Sequence, residues 1–186
     1  MAAVRPIEDV RVWNRGVAGA ETLAAQLRGE GFRAAACSDL EAAVRSADIV
    51  RCATLATAPL VHGDWLAPGS HLDLIGSFTP TMRESDAACF AQCRVFVDTL
   101  EALAKSGDVL QAVAEGAFAD NDLQGTLADL CAGRRPGRRN ETEKTLFKSA
   151  GTALEDLAAA ELVYDALGGA KAPDMLPAPF DRTEPS

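Results

Sequence analysis

The chain has 186 residues, 48% of them apolar and 24% charged, with a formal net charge of −9. That length suffices for one domain with its own hydrophobic core, and the acidic balance repels phosphate backbones and anionic surfaces, so neither nucleic acid nor a membrane is an expected partner. No apolar run approaches the ~20 residues that span a bilayer, and the opening Met1-Ala2-Ala3-Val4-Arg5 has no secretion signal, which makes the cytoplasm the expected location. Five cysteines, at 37, 52, 89, 93 and 131, form no Cys-x-x-Cys pair and read as packed thiols. His62 and His71 have no ligand spacing with them, so no metal site is expected.

In chain order, Val10-Arg11-Val12-Trp13 reads as a short strand. Leu23, Ala24 and Leu27 share one face of a helix over 20–28, which Gly29 and Gly31 stop. A strand over 32–36 follows. Ser38 and Glu41 match a capping box that opens a helix to about Ser46. Strands are predicted at 48–53 and 71–75, separated by a loop with Pro59, Gly63, Pro68 and Gly69. Thr79 and Pro80 suit a helix start, and that helix should run to about Gln92. Next come a strand at 94–97 and helices at 99–105, 108–114 and 126–131. An Arg-rich loop covers 134–139, with one more candidate strand at 142–147. Thr152 and Glu155 form a second capping box, opening a helix to Leu167 that is expected to bury Leu154, Leu157, Ala158 and Leu162. The Pro-rich tail over 169–186 is expected to be disordered. Strands alternating with helices indicate an α/β fold with a parallel sheet covered on both faces.

Four features could carry chemistry, and each also has an ordinary reading. Trp13-Asn14-Arg15 follows a strand, where an arginine can pair with the 2′-phosphate of NADP and a carboxylate would select NAD. Arg15 reads equally as a solvated strand-end residue. Ala53-Thr54-Leu55-Ala56-Thr57 follows another strand, with hydroxyls suited to phosphate or ribose oxygens or to turn formation. Leu74-Ile75-Gly76-Ser77-Phe78-Thr79-Pro80 has a glycine that lets a flat ring approach the backbone, and hydroxyls near a helix start; it also reads as a capped turn. Lys148-Ser149-Ala150-Gly151 precedes a helix, a place for an anion or for a plain surface lysine. The arginine loop has no interleaved aromatics and reads as a solvated loop. Gly16-Val17-Ala18-Gly19 reads as a turn into a helix. A Gly-x-Gly-x-x-Gly loop at the expected distance before the first strand is not in this sequence.

Together these segments resemble a known family. Val12-Trp-Asn-Arg, Asp39-Leu-Glu-Ala-Ala-Val, His71-Leu-Asp-Leu-Ile-Gly-Ser-Phe-Thr-Pro-Thr-Met-Arg-Glu, Gly125-Thr-Leu-Ala-Asp-Leu and Thr145-Leu-Phe-Lys-Ser-Ala-Gly-Thr-Ala-Leu-Glu-Asp follow one another as in the ornithine cyclodeaminase/mu-crystallin family. The resemblance covers about residues 1–167, roughly the C-terminal half of a full family member. It implies a Rossmann-like NADP-binding domain over 1–125, incomplete because its first strand and glycine loop lie upstream. Residues 126–168 would return to a dimerisation and substrate domain, making a homodimer.

The resemblance further implies NADP(H), with NAD(H) as the alternative. Asn14 and Arg15 would sit at the 2′-phosphate, Thr54 and Ala56 near ribose and phosphates, and Leu74, Ile75 and Gly76 near the nicotinamide. Ser77, Lys148, Ser149 and Gly151 would line the pocket of a small imino or amino acid. No residue is assigned as catalytic. Ornithine cyclodeaminases have Gly-Gly-Asp-Cys-Pro where this chain has Gly76-Ser77-Phe78-Thr79-Pro80, and a phenylalanine neither accepts a proton nor binds an ammonium. The Gly-Ser-Phe-Thr-Pro pattern is closer to the branch that reduces cyclic ketimines such as Δ1-pyrroline-2-carboxylate and Δ1-piperideine-2-carboxylate. Ornithine cyclodeaminase, alanine dehydrogenase, a mu-crystallin-type binder of NADPH and a small ligand, and an inactive fragment are the alternatives.

Overall fold

The computed structural model describes residues 4–167. The tail expected over 169–186 lies outside them. Among the described residues there are seven strands: β1 (Asp9–Val12), β2 (Arg33–Ala36), β3 (Ile49–Cys52), β4 (His71–Leu74), β5 (Arg94–Val97), β6 (Leu123–Thr126) and β7 (Thr145–Lys148). The helices are α1 (Val17–Gly29), α2 (Leu40–Arg45), α3 (Ala87–Gln92), α4 (Glu101–Lys105), α5 (Gly107–Ala114), α6 (Leu127–Cys131) and α7 (Ala153–Ala166). Every strand pairing is parallel, as the alternation of strand and helix requires.

The strands form two pieces. β1 pairs with β2, and the larger sheet runs β3-β4-β7-β5-β6. Among the described residues, β1 and β3 therefore each keep one unpaired edge. The last strand in sequence, β7, enters between β4 and β5. The sheet thus takes up residues on both sides of the boundary expected at 125. The chain divides after Gly151 instead, into Met1–Gly151 and Thr152–Ser186.

Packing explains most of the elements. Leu72, Leu74, Val95 and Leu146 from β4, β5 and β7 are buried with Val44 of α2, Cys89 and Phe90 of α3, Val109 and Ala112 of α5 and Phe118. Of the strands in the middle of this sheet, β5 reads as an apolar run, Val95-Phe96-Val97, all of it buried. A separate, smaller cluster joins Val12, Ala20, Ala24 and Ala34 of β1, α1 and β2. Burial pushes the Cys52 and Cys89 thiols well above the ordinary range and Cys93 up to about 11, so these thiols serve as small packed groups.

Several expected boundaries are corrected. The helix predicted from Thr79 begins only at Ala87, because the backbone N–H groups of Glu84 and Ser85 donate to the Asp108 carboxylate and Leu60 and Val61 donate to Glu84 O. These bonds keep 83–85 out of the helix, and Asp86 caps α3 by accepting from Cys89 N. At α2 the cap is Asp39, not Ser38. β7 starts at Thr145, not 142, since the Asn140 side chain turns the chain by accepting from Thr142 N and Glu143 N. α1 begins at Val17 on an N-cap Gly16, the turn into a helix that Gly16 to Gly19 suggested. The leucines of α7 are not buried: Leu154 is 75% and Leu162 72% exposed, and Leu157 and Ala158 are exposed too. Apolar side chains lie all around this helix rather than on one face, so no single side specifies a core contact.

Candidate functional site

Cys52, Leu74, Lys148, Val97 and Thr126 pair in register across the larger sheet, so its strands end level at one carboxyl edge. Open parallel sheets bind ligands outside that edge. Three expected groups of residues lie there, in the turns after β3, β4 and β7. The fourth, Asn14 and Arg15, follows the carboxyl end of β1 in the smaller sheet.

After β1, Asn14 and Arg15 are exposed. Among the described residues Arg15 forms no ion pair. The Asn14 amide folds over the first turn of α1, where a side chain at Gly19 would meet it at 2.6 Å. The 13-residue helix α1 starts without a side-chain cap and without an acidic residue in its first turn. An unpaired guanidinium, an amide and an uncapped helix start together suit an anion.

The turns after β3 and β4 are closed more tightly than their sequences suggest. Thr54 N donates to Glu84 Oε1 at 2.5 Å and Thr54 Oγ1 to the same oxygen at 2.8 Å, while Gly76 N donates to Oε2 at 2.7 Å. Ala56 is buried, and its N–H donates to Thr54 Oγ1 at 3.2 Å. Leu74 is buried, and its carbonyl accepts from Ser149 N and Lys148 Nζ. A Cβ at Gly76 would lie 2.0 Å from Thr54 O, so only glycine permits this approach of the two turns. Ile75 is half-buried, and Phe78 and Leu55 are 48% and 70% exposed beside this closed backbone surface.

Ser77 and Lys148, expected beside a substrate, have fully buried side chains. Ser77 Oγ donates to Met82 O at 2.6 Å. Lys148 Nζ donates to Leu74 O at 3.1 Å and lies 3.9 Å from Asp108 Oδ2. Burial lowers the Lys148 pKa and raises that of Asp108. The anion suggested for 148–151 is one of the chain's own carboxylates: Asp98 Oδ2 accepts from Ser149 Oγ at 2.9 Å and from Ala150 N and Gly151 N at 2.7 Å. Asp98 is nearly completely buried, and Gly151 adopts a positive φ of 79° beside it.

Sequence reasoning missed Glu84, Asp98 and Asp108. Each is a carboxylate that reads as a surface residue until the turns it binds are in place. The available signal was Glu84 at the end of the long motif that starts at His71. Among the described residues, no group of three histidines, cysteines or carboxylates could hold a metal ion.

Residues 1–171 match the ornithine cyclodeaminase/mu-crystallin family model. A Δ1-pyrroline-2-carboxylate reductase from Paracoccus denitrificans is 42% identical over 172 residues, covering 90% of this chain and 54% of that protein. The ketimine reductase mu-crystallin of Macropus fuliginosus is 38% identical over 165 residues, covering 88% and 49%. The chain spans about half the length of the curated relatives it matches. Among solved structures, Thermococcus litoralis Δ1-pyrroline-2-carboxylate reductase in complex with NADH and L-proline superposes with a TM-score of 0.86 at 32% identity, covering 90% of this chain and 53% of that one.

Proposed function

The chain belongs to the ornithine cyclodeaminase/mu-crystallin family, and on that premise we propose that it forms the dinucleotide-binding part of a reductase of cyclic imino acids of the Δ1-pyrroline-2-carboxylate type. The observation that carries this reading is the level carboxyl edge with an anion-suited corner after β1 and two closed turns after β3 and β4. The arrangement fits a dinucleotide at both ends. Arg15, Asn14 and the start of α1 would take the phosphorylated adenosine, and so NADPH in preference to NADH. Ile75, Gly76 and the exposed Phe78 offer a flat apolar surface to the nicotinamide. When bound, the dinucleotide supplies the hydride for the imine carbon. The chain's own residues bind and orient it, while Phe78 and Leu55 keep water from its reacting end.

The test is titration of the chain with NADPH and NADH. NADPH is expected to bind more tightly. Arg15→Ala should lower NADPH affinity roughly tenfold, the scale of one charge-assisted hydrogen bond, and leave NADH affinity unchanged. Equal binding of the two dinucleotides by the unaltered chain would reject the assignment of Arg15. A second reading, a protein that holds the dinucleotide without turnover, is favoured by one observation: the ionisable side chains nearest the turns, Glu84, Asp108 and Lys148, are all fully buried. NADPH oxidation in the presence of Δ1-pyrroline-2-carboxylate separates the two.

A further inference from the structure

Glu84 has no exposed surface, and burying a carboxyl group is costly unless it is fully hydrogen-bonded. Its carboxylate accepts from the Thr54 N–H, the Thr54 hydroxyl and the Gly76 N–H. Thr54 lies two residues beyond the end of β3, and Gly76 two residues beyond the end of β4. The register pairs Cys52 with Leu74, so Thr54 and Gly76 follow adjacent strands at the same level. One carboxylate therefore bridges the two turns that flank the nicotinamide surface proposed above.

The carboxylate is itself held in place. Asp108, in the first turn of α5, accepts from the backbone of Glu84 at 2.8 Å and of Ser85 at 2.9 Å. Asp108 N donates to Ser77 Oγ at 3.1 Å, which ties α5 to the turn after β4. Lys148 supplies the buried positive charge, 3.9 Å from Asp108 Oδ2, an oxygen with no hydrogen-bond partner among the described residues. Glycine at 76 leaves room for this bridge: a Cβ there would lie 2.0 Å from Thr54 O and 2.3 Å from Glu84 Oε1.

The geometry points to Glu84 as a positioning residue for the nicotinamide half of the dinucleotide: it sets the spacing of the Thr54 and Gly76 turns without touching the ligand. This rests on the dinucleotide reading given above. A residue that merely stabilised the fold would affect both halves of the ligand alike, whereas the Glu84 carboxylate bonds to the turns after β3 and β4.

Glu84→Gln is the isosteric test, because an amide offers one acceptor oxygen where the carboxylate offers two, and turns an N–H₂ toward a donor. Binding is measured for NADPH and for 2′,5′-ADP, which contains only the phosphorylated adenosine half. E84Q should weaken NADPH roughly tenfold or more and bind 2′,5′-ADP as the unaltered chain does. Equal weakening of both ligands, or of neither, would overturn the positioning role while the dinucleotide reading stands. If the unaltered chain binds neither ligand, the reading falls and the role of Glu84 with it. Should E84Q not fold, the amide signals of Thr54 and Gly76 in the unaltered chain decide: they should shift with NADPH and stay still with 2′,5′-ADP. A response to both ligands, or to neither, refutes the proposal.

Discussion

His71 stands at the start of β4, at the opposite edge of the sheet from the candidate site, and pairs in register with Thr145 of β7. Its Nδ1 lies 2.8 Å from Thr145 Oγ1. Burial lowers the imidazole pKa; Asp73 opposes this, and Arg138 and Arg5 add to it. Arg138 is fixed there by bonds to Gly69 O, to Glu143 O at 2.8 Å and to Ser70 O at 3.2 Å. The sign follows from which state binds more protons. The unfolded chain titrates His71 near its ordinary value of about 6.5, while the folded chain resists the proton to lower pH. In that window the unfolded state binds more protons, so stability rises with pH. It is fully present above the ordinary value and is lost as pH falls toward the lowered one. Thermal melts of the chain and of His71→Gln at about pH 7.5 and about pH 5.5 check this. The stability of the unaltered chain relative to the variant should decline at the lower pH. A constant difference would mean that this imidazole is not depressed.

At the scale of elements, local signals and distant ones divide the legible from the hidden. β5 was readable because it buries apolar side chains on both faces, which leaves the run Arg94-Val95-Phe96-Val97, and β4 because Leu72 and Leu74 alternate with His71 and Asp73. β6 was not readable: Leu123-Gln124-Gly125-Thr126 is short, polar and at the sheet edge, and its pairing with β5 is irregular between Val95 and Phe96. The start of α3 was misplaced because Asp108, 24 residues away from Glu84, withdraws that backbone from the helix, and nothing near Thr79 announces it. The turns of the candidate site were readable as turns, while Glu84, the group that closes two of them, was not. α7 shows the opposite case. Its capping box was legible, with Thr152 Oγ1 accepting from Glu155 N at 3.2 Å and Glu155 Oε2 accepting from Thr152 N at 3.0 Å. Its burial was not. A 14-residue helix with all its described side chains exposed depends on local terms, and isolated helices of this length are marginal. Glu155 and Asp156 favour its first turn, and its last turn has no basic residue. Thr152→Ala should therefore cost about 1 kcal/mol and reduce the helical circular dichroism signal. The backbone shifts that move should be confined to residues 152–167. An unchanged spectrum would show that something other than the cap holds the helix.

For the whole molecule, the decisive contrast is between the two cores. The larger joins fourteen buried side chains drawn from four strands, three helices and the connecting segments. The smaller has Val12 and three alanines, which remove little apolar surface from water, and among the described residues it supports a two-stranded sheet. Two-stranded sheets are marginal, and opening free energies vary across a structure with the apolar contact that each part makes. Amides of β1, α1 and β2 should therefore exchange with solvent through a lower-energy opening than those of β4, β5 and β7. The proposed adenosine corner, Asn14 and Arg15 with the start of α1, is built on this weaker part. A ligand that binds only the closed form stabilises it by about 2.7 kcal/mol at a hundredfold excess over its Kd. Hydrogen exchange with and without NADPH should show the gap between the two sets of amides narrowing, mainly through slower exchange in β1 and α1. Uniform exchange across both sheets in the free chain would mean that they open as one unit, and the corner would then owe nothing to ligand-linked ordering.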